Sequence, residues 1–181
     1  MSGVAKLTLV LGGARSGKSR YAESLFAALP PAWEPPWVYV ATAEPGDEEM
    51  AARINAHRAR RGPCWRTLEA PRDLQAALVA CEKAPALVDC LTLWLSNLML
   101  ADADIDAEIE RLEAVLASAT APVVLVANEV GSGIVPESPL GRKFRDLQGV
   151  LNQRIAARAD RVVLMVAGLP LAVKGALKET L

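Results

Sequence analysis

At 181 residues the chain is long enough for one well-buried domain and leaves little for a second, so we expect a single unit over residues 1–181. Hydrophobic residues make up 52% of the sequence and charged residues 23%, which excludes an intrinsically disordered chain. A formal net charge of −1 excludes a strongly basic surface. Binding to nucleic acid or to an acidic membrane would need a local patch and is not expected.

The sequence also lacks the patterns of a membrane-spanning or secreted protein. Its longest apolar stretch, residues 90–100, is interrupted by Thr92, Ser96 and Asn97 and is too short for a membrane span. The beginning shows no signal-peptide pattern. The three cysteines are odd in number and follow no metal-ligand spacing, which suits reduced thiols. We therefore expect a cytoplasmic protein.

Short apolar runs rich in Val and Leu alternate with helical segments along the chain. The runs are continuous, which is typical of strands buried on both faces, and they lie at residues 7–11, 37–41, 86–90, 122–127 and 161–167. Helical periodicity predicts helices at residues 18–29, 47–61, 73–82, 91–116 (with a break near Ala101) and 140–159. Residues 64–70 are expected to add a strand and residues 169–175 an edge hairpin. The alternation predicts an α/β fold with a mostly parallel sheet, helices on both faces, and ligands at the carboxyl ends of the strands.

The segment directly after the first strand carries a phosphate-binding motif. Its sequence, GGARSGKS, fits the spacing G-x-x-x-x-G-K-[ST], with a strand before it and a helix after it. Glycines let the backbone wrap around phosphate oxygens, the lysine suits the β- and γ-phosphates, and the last hydroxyl suits Mg²⁺. The predicted nucleotide-binding residues of this loop are Gly12, Gly13, Ala14, Arg15, Ser16, Gly17, Lys18 and Ser19, of which Lys18 is also a predicted catalytic residue.

A carboxylate at the end of another predicted strand is the natural second ligand for Mg²⁺. Asp89 follows an apolar run, and together with Ser19 it forms the predicted metal site. The alternative is that Asp89 only supplies negative charge at the start of the next helix. The guanine-reading string N-K-x-D of signalling GTPases is absent, and the nearest string has Asn128 and Glu129 but no lysine. A regulatory GTPase is therefore disfavoured.

The only histidine of the chain, His57, lies among arginines near the end of the predicted helix 47–61. One interpretation is that it complements the negative end of the helix dipole. The other is that the neighbouring guanidinium groups disfavour the imidazolium form and attract phosphate oxygens. A neutral imidazole in that setting could attack phosphorus and so divide a nucleotidyl transfer into two steps. Helical spacing alone leaves both interpretations open.

Four longer strings cover nearly the whole chain and carry a resemblance. They are GGARSGKSRYAESL, DEEMAARINAHRARRGPCWRTLEAP, LVDCLTLWLSNLML, and a long segment that runs from VVLVANEVGSGIVP through FRDLQGVLNQRIA to AGLPLAVK. In this order they resemble the family of bifunctional adenosylcobinamide kinases / adenosylcobinamide-phosphate guanylyltransferases of cobalamin biosynthesis. The strings NEVGSGIVP and FRDLQGVLNQRIA are far more family-specific than the phosphate loop.

The resemblance implies a RecA-like P-loop NTPase fold, a homotrimer and two reactions at one centre. In the first, ATP or GTP phosphorylates adenosylcobinamide. In the second, GTP guanylylates a histidine with release of pyrophosphate, and GMP then passes to adenosylcobinamide phosphate to give adenosylcobinamide-GDP. Mg²⁺ accompanies the nucleotides, and no tightly bound organic cofactor is expected.

The resemblance also implies particular residues. The histidine of the family motif falls on His57. Beyond the phosphate loop, the family's nucleotide contacts fall on Thr42, Ala43, Glu44, Arg58, Ala59, Arg60, Arg61, Glu69 and Asp89. The position of Asp89 is often Glu in the family, so a metal role and a guanosine contact both stay open for this shorter side chain.

The connection at residues 128–146 is too long for an ordinary one, and Gly131, Gly133 and Pro136 suit a shaped loop. We hypothesise that it helps to hold the acceptor, the alternative being a purely structural loop. Two other functions compete with the bifunctional enzyme: a simple small-molecule P-loop kinase, and a RecA-like nucleic-acid ATPase or nucleotide sensor. The lack of a wide basic surface or of stacking aromatic residues argues against the latter.

Overall fold

The structure is a computed structural model and describes residues 5–44, 46, 48, 62–81 and 83–177. The strands within these ranges are β1 (Leu7–Gly12), β2 (Trp37–Ala41), β3 (Trp65–Glu69), β4 (Ala86–Asp89), β5 (Val123–Asn128), β6 (Arg161–Val166) and β7 (Leu169–Lys174). The helices are α1 (Lys18–Ala27), α2 (Leu74–Ala80), α3 (Leu91–Leu100), α4 (Ile105–Ser118) and α5 (Pro139–Arg158), with a short 3₁₀ helix at Pro31–Trp33.

The described strands form one sheet in the order β3-β2-β4-β5-β1-β6-β7. All neighbouring pairs are parallel except the last, because β6 and β7 form an antiparallel hairpin at one edge. The predicted α/β fold with a mostly parallel sheet is confirmed. So are the strand at residues 64–70, the edge hairpin and the break near Ala101, which separates α3 from α4. The predicted helix at residues 47–61 lies outside the described residues.

Helices cover both faces of the sheet, as predicted. On one face, α2 to α5 pack against strand residues such as Leu9, Val88 and Leu125, and the side chain of Trp94 is fully buried there. On the other face, Ala22 and Phe26 of α1 pack against the intervening strand residues, among them Val10, Leu87 and Val126. Consecutive strand residues therefore point into different cores, which explains why the apolar runs do not alternate with polar residues.

The carboxyl ends of the inner parallel strands come together at one edge of the sheet. Gly12 at the end of β1 pairs with Asn128 on β5, and Ala41 at the end of β2 pairs with both Asp89 on β4 and Glu69 on β3. The loops that follow these residues must consequently leave the sheet side by side. This edge holds the candidate site.

Within the described ranges, none of the helices combines the length and the hydropathy that crossing a bilayer would require.

Candidate nucleotide-binding site

The loop between β1 and α1 has the backbone shape of a phosphate cradle. Gly12 (φ 153°) and Gly17 (φ 93°) both have positive φ, and Gly17 immediately precedes the first turn of α1. A Cβ atom on Gly12 would lie 2.6 Å from Ser16 Oγ and 2.7 Å from the Met165 carbonyl oxygen. Glycine is therefore required at position 12 both by the backbone conformation and by the space available.

Lys18 lies inside the curve of this loop. Its Nζ donates a hydrogen bond of 2.6 Å to the carbonyl oxygen of Gly13, and the residue is only 8% exposed. Burial lowers the pKa of the Lys18 ammonium, while electrostatic interactions with Cys90 and Asp89 act in the opposite direction. The loop thus brings a buried cation and the N-terminus of α1 to one place, and both attract phosphate.

Asp89 occupies the predicted position at the carboxyl end of β4, half-buried and close enough to Lys18 to affect its pKa. Its Oδ2 accepts a hydrogen bond of 2.8 Å from the hydroxyl of Tyr39, and the peptide bond between Asp89 and Cys90 is cis. The second oxygen, Oδ1, has no hydrogen-bond donor among the described residues. Within the described part of the chain, one carboxylate oxygen is therefore bonded to the protein and the other is available to bind a ligand.

The oxygen atoms that could bind a metal at this edge suit Mg²⁺ better than they suit a metal whose ligands all come from the protein. Across the described ranges, no group of three or more His, Cys, Asp or Glu side chains is placed to hold a metal ion. Mg²⁺ commonly uses one or two protein oxygens and takes its remaining ligands from water and substrate phosphates. The half-buried hydroxyl of Ser19 and the Asp89 carboxylate provide oxygens of that kind.

Cys90 follows Asp89 and raises the question of a second nucleophile. The residue is buried, and burial, reinforced by the nearby Asp89 carboxylate, raises the pKa of its thiol to about 11. A thiol with that pKa is protonated at neutral pH, and the thiolate is the reactive form. Cys90 is therefore unsuited to attack a phosphate here.

The residues after β2 are tied to the end of β4. The Thr42 hydroxyl donates to the carbonyl oxygen of Cys90 (2.7 Å) and accepts from the Cys90 amide (2.8 Å), and Thr42 is completely buried. Its side chain therefore holds the two strand ends together, and its backbone is bonded as well, since the Thr42 amide donates to the Asp89 carbonyl oxygen (3.4 Å) and the Thr42 carbonyl oxygen accepts from Asn97 (2.8 Å). Ala43 is half-buried, and the exposed Glu44 forms an ion pair of 3.1 Å with Arg72.

Glu69 lies farther from the phosphate loop along the sheet edge than Asp89 does. It ends β3, which is separated from β1 by β2, β4 and β5 in the sheet. Four strand spacings correspond to about 19 Å. The structure therefore brings Lys18 and Asp89 together, and it places Glu69 at the far end of the same edge.

The predicted nucleophile and its neighbours belong to the segment between β2 and β3 in the sequence. His57, Arg58, Ala59, Arg60 and Arg61 lie outside the described residues. Their roles stay predictions.

Several residues that support the site were not singled out by sequence reasoning. Asn97 on α3 donates to the carbonyl oxygens of Thr42 (2.8 Å) and Pro71 (2.9 Å), so it fastens the loops after β2 and β3. The Thr92 hydroxyl accepts from the amide of Asn128 at 2.7 Å. Thr92, Ser96 and Asn97 interrupt an otherwise apolar helix. That interruption indicated that polar side chains are needed there, but it did not indicate their partners.

Two further supports left no usable signal in the sequence. Tyr39 is indistinguishable from the other large residues of a buried strand until its hydroxyl is seen to meet Asp89. The amide of Gly168, in the turn between β6 and β7, donates to the Ser16 carbonyl oxygen at 3.1 Å and closes one side of the phosphate loop. Both contacts join residues that are far apart in the sequence.

The sheet, the loop between β1 and α1, and the acidic residue on a neighbouring strand define a nucleotide-binding protein of the P-loop NTPase class. Comparison with family models gives the finer assignment. The chain belongs to the CobU family of enzymes, described as cobinamide kinase / cobinamide phosphate guanyltransferase, whose model matches residues 8–173. The family resemblance identified in the sequence is thereby confirmed.

Curated relatives agree with this assignment. The bifunctional adenosylcobalamin biosynthesis protein CobP of Pseudomonas aeruginosa is 50% identical over 171 residues, covering 92% of this chain and 96% of the relative. The bifunctional adenosylcobalamin biosynthesis protein CobU of Salmonella typhimurium is 43% identical over 186 residues, covering 93% of this chain and 99% of the relative. The CobU protein of Escherichia coli, which bears the same description, is 42% identical with the same coverage. These similarities favour a two-reaction enzyme over the simple kinase and over the nucleic-acid ATPase.

Proposed function

We propose that this chain carries out both family reactions on adenosylcobinamide, using one triphosphate cradle. In the first, the hydroxyl oxygen of adenosylcobinamide attacks the γ-phosphorus of ATP or GTP, loses its proton, and displaces the nucleoside diphosphate. In the second, GTP provides GMP for the phosphate that was just installed, and the product is adenosylcobinamide-GDP. The observation that carries the proposal is Lys18, buried and bonded to Gly13 inside the loop next to Asp89.

The guanylyl transfer is proposed to pass through His57. A neutral ring nitrogen attacks the α-phosphorus of GTP, and the bond from that phosphorus to the bridging oxygen of pyrophosphate breaks. A phosphate oxygen of adenosylcobinamide phosphate then attacks the same phosphorus, and the phosphorus–nitrogen bond breaks to free His57. Arg58, Arg60 and Arg61 are proposed to neutralise phosphate oxygens during both displacements. The family assignment and the arginine-flanked position of the only histidine support this route.

Mg²⁺ is proposed to accompany the triphosphate, held by Ser19 and Asp89. When bound, it supplies positive charge that offsets the charge developing on the phosphate oxygens. Ser19 is the second residue of α1, directly after Lys18, and the Oδ2 of Asp89 is bonded to Tyr39. In this proposal the backbone amides of the loop orient the same phosphates, and the Lys18 ammonium contacts both the loop and a phosphate.

The proposal is tested by incubating the protein with GTP and Mg²⁺, without any acceptor, followed by mass analysis of the intact chain. We expect the mass of the chain to increase by one guanylyl group. We expect this group to be lost in acid and kept in alkali, as a phosphoramidate requires. Addition of adenosylcobinamide phosphate should remove the group. A chain that stays unmodified while still forming adenosylcobinamide-GDP would contradict the covalent route.

The loop between β5 and α5 is proposed to contact the corrinoid acceptor. It leaves the sheet beside the phosphate loop, since the amide of Glu129 donates to the Gly12 carbonyl oxygen at 3.1 Å. Its shape is held by bonds from Arg145 to the carbonyl oxygen of Gly131 and from the Gly131 amide to the Glu129 carboxylate. At its tip Ile134 is 97% exposed. A loop that begins beside the phosphate loop, is held by these bonds and exposes an apolar side chain suits a large, partly apolar acceptor.

Replacing Ile134 with aspartate is expected to raise the KM for adenosylcobinamide about 10-fold, because the contact would place a charge against an apolar surface. Steady-state kinetics of the kinase reaction measure this effect. Guanylylation of the protein by GTP alone, which needs no acceptor, should stay unchanged. Leu100→Asp is the matched control, since Leu100 is also exposed but ends α3, which runs away from the site. An unchanged acceptor KM in Ile134→Asp would show that the loop is structural.

A homotrimeric state, a cytoplasmic location and a single folded unit over the whole chain complete the proposal. Support for self-association comes from β7, the edge strand of the described sheet, which exposes the apolar side chains of Leu169, Leu171 and Val173. Exposed apolar residues along an edge strand are commonly covered by another chain.

A further inference from the structure

Tyr39 and Asp89 form a connection between the aromatic core and the phosphate site. Tyr39 is 4% exposed and lies in the middle of β2, where its Cα pairs with Leu87 on β4. Asp89 is two residues beyond Leu87, so its side chain leaves the sheet on the same face as Tyr39. From there the Tyr39 hydroxyl reaches Oδ2 of Asp89 at 2.8 Å.

The ring of Tyr39 is held in place by other aromatic rings. It packs edge-on against Trp65 with the ring centres 6.0 Å apart, and Trp65 in turn contacts Phe26 at 4.7 Å and Trp37 at 5.4 Å. A tyrosine side chain has few rotatable bonds, so this packing determines where the hydroxyl lies. The aromatic cluster of Phe26, Trp37, Tyr39 and Trp65 therefore presents a fixed donor to the end of β4.

A fixed donor matters because a carboxylate group rotates easily. The terminal torsion of an Asp side chain is broad, and no single orientation is strongly favoured on its own. The bond to Oδ2 selects one orientation and leaves Oδ1, which has no partner among the described residues, for another ligand. Lys18, the first residue of α1, lies on this face of the sheet as well.

We propose that Tyr39 is a positioning residue that holds the Asp89 carboxylate in the orientation that binds the nucleotide-associated Mg²⁺. This inference rests on the proposed function only in assigning Mg²⁺ to Asp89. In this role the Tyr39 hydroxyl acts on the metal through the Asp89 carboxylate, to which it is bonded. A purely structural role, in which Asp89 serves only to satisfy a buried hydroxyl, makes different predictions for metal affinity.

Tyr39→Phe removes the hydroxyl and keeps the ring. We expect it to weaken the binding of Mn²⁺, used in place of Mg²⁺, about 10-fold, because Asp89 loses the bond that orients it. Electron paramagnetic resonance of free Mn²⁺ measures this in the presence of α,β-methylene-GTP, which cannot release pyrophosphate. The metal concentration for half-maximal kinase activity should rise by a similar factor, while kcat at saturating metal stays within about 3-fold of the parent value. The melting temperature should fall by no more than about 4 °C.

The matched control is Tyr21→Phe, since Tyr21 is the other tyrosine of the chain. Tyr21 packs against the same core, but its hydroxyl is influenced by Arg161, which begins β6 at the opposite end of that strand from the phosphate loop. We expect wild-type Mn²⁺ affinity in this variant.

A double-mutant cycle with Asp89→Asn tests whether Tyr39 acts through Asp89. Asp89→Asn should weaken Mn²⁺ binding more than Tyr39→Phe does, and adding Tyr39→Phe to Asp89→Asn should cause no further loss. Wild-type Mn²⁺ affinity in Tyr39→Phe, or the same factor lost in both backgrounds, would overturn the inference. The inference would also be overturned if Asp89→Asn lowered the affinity for the nucleotide but not the affinity for Mn²⁺. The Mn²⁺ affinities of this cycle are binding measurements that need no turnover. A failure of the wild-type protein to become guanylylated would therefore contradict the proposed function without affecting the interpretation of these affinities.

Discussion

Replacing Lys18 with alanine is expected to lower both the kinase and the guanylyltransferase rates by at least about 1,000-fold. Lys18 is the buried cation inside the phosphate loop, and its ammonium bonds to the Gly13 carbonyl oxygen at 2.6 Å. Both proposed reactions break a phosphorus–oxygen bond of a triphosphate seated on that loop, so both need the charge that stabilises the developing oxyanions. Rates of adenosylcobinamide phosphate and adenosylcobinamide-GDP formation measure the two losses separately.

Lys6→Ala provides the matched control for the charge change. Lys6 is exposed, it precedes β1 at the end opposite the phosphate loop, and its ammonium bonds to the Ala117 carbonyl oxygen. Both rates should stay close to the parent values in that variant. Because Lys18 is buried, circular dichroism must show that Lys18→Ala is folded before its rates are interpreted. Retained guanylylation in a folded Lys18→Ala protein would mean that the two reactions use separate sites.

Replacing His57 with asparagine is expected to abolish the guanylyl adduct and to lower adenosylcobinamide-GDP formation by at least about 1,000-fold. Asparagine keeps a polar side chain but cannot form the phosphoramidate. Incubation with GTP labelled at the α-phosphate, followed by counting of acid-labile label on the protein, measures the adduct.

The kinase reaction serves as the internal control for this variant. Transfer of the γ-phosphoryl group does not require a histidine nucleophile, so we expect kinase activity to stay within a few-fold of wild type. The chain contains no second histidine, so acid-labile label that persists in His57→Asn would place the guanylyl group on a lysine or arginine nitrogen. Loss of both activities would indicate that His57 shapes the nucleotide site and is not its nucleophile.

The supporting contacts of the site were less visible in the sequence than its central motif. The phosphate loop follows from eight consecutive residues, and the structure gives Gly12, Gly17 and Lys18 the backbone and side-chain geometry that the motif predicts. The bonds between the Thr42 hydroxyl and the backbone of Cys90 could not be read from the sequence around either residue. The sequence around a polar residue such as Asn97 does not show whether its side chain binds a loop or faces solvent. Only the partners across the fold make that distinction.

The sequence by itself determined the strands and the α-helices within the described residues, the phosphate loop and the family. These features depend on local patterns. The composition of a run such as residues 7–11 indicates that it is buried, and the spacing of residues in a motif indicates the chemistry of the site. The tertiary structure alone decided the strand order and the surroundings of Asp89, including the bond from Tyr39 and the ties to Thr42. The bonds from Tyr39 and Thr42 to the end of β4 join residues 47 to 50 positions apart, and the strand pairs join residues farther apart still, such as Leu7 and Val123. Local periodicity contains no information about which distant strands become neighbours.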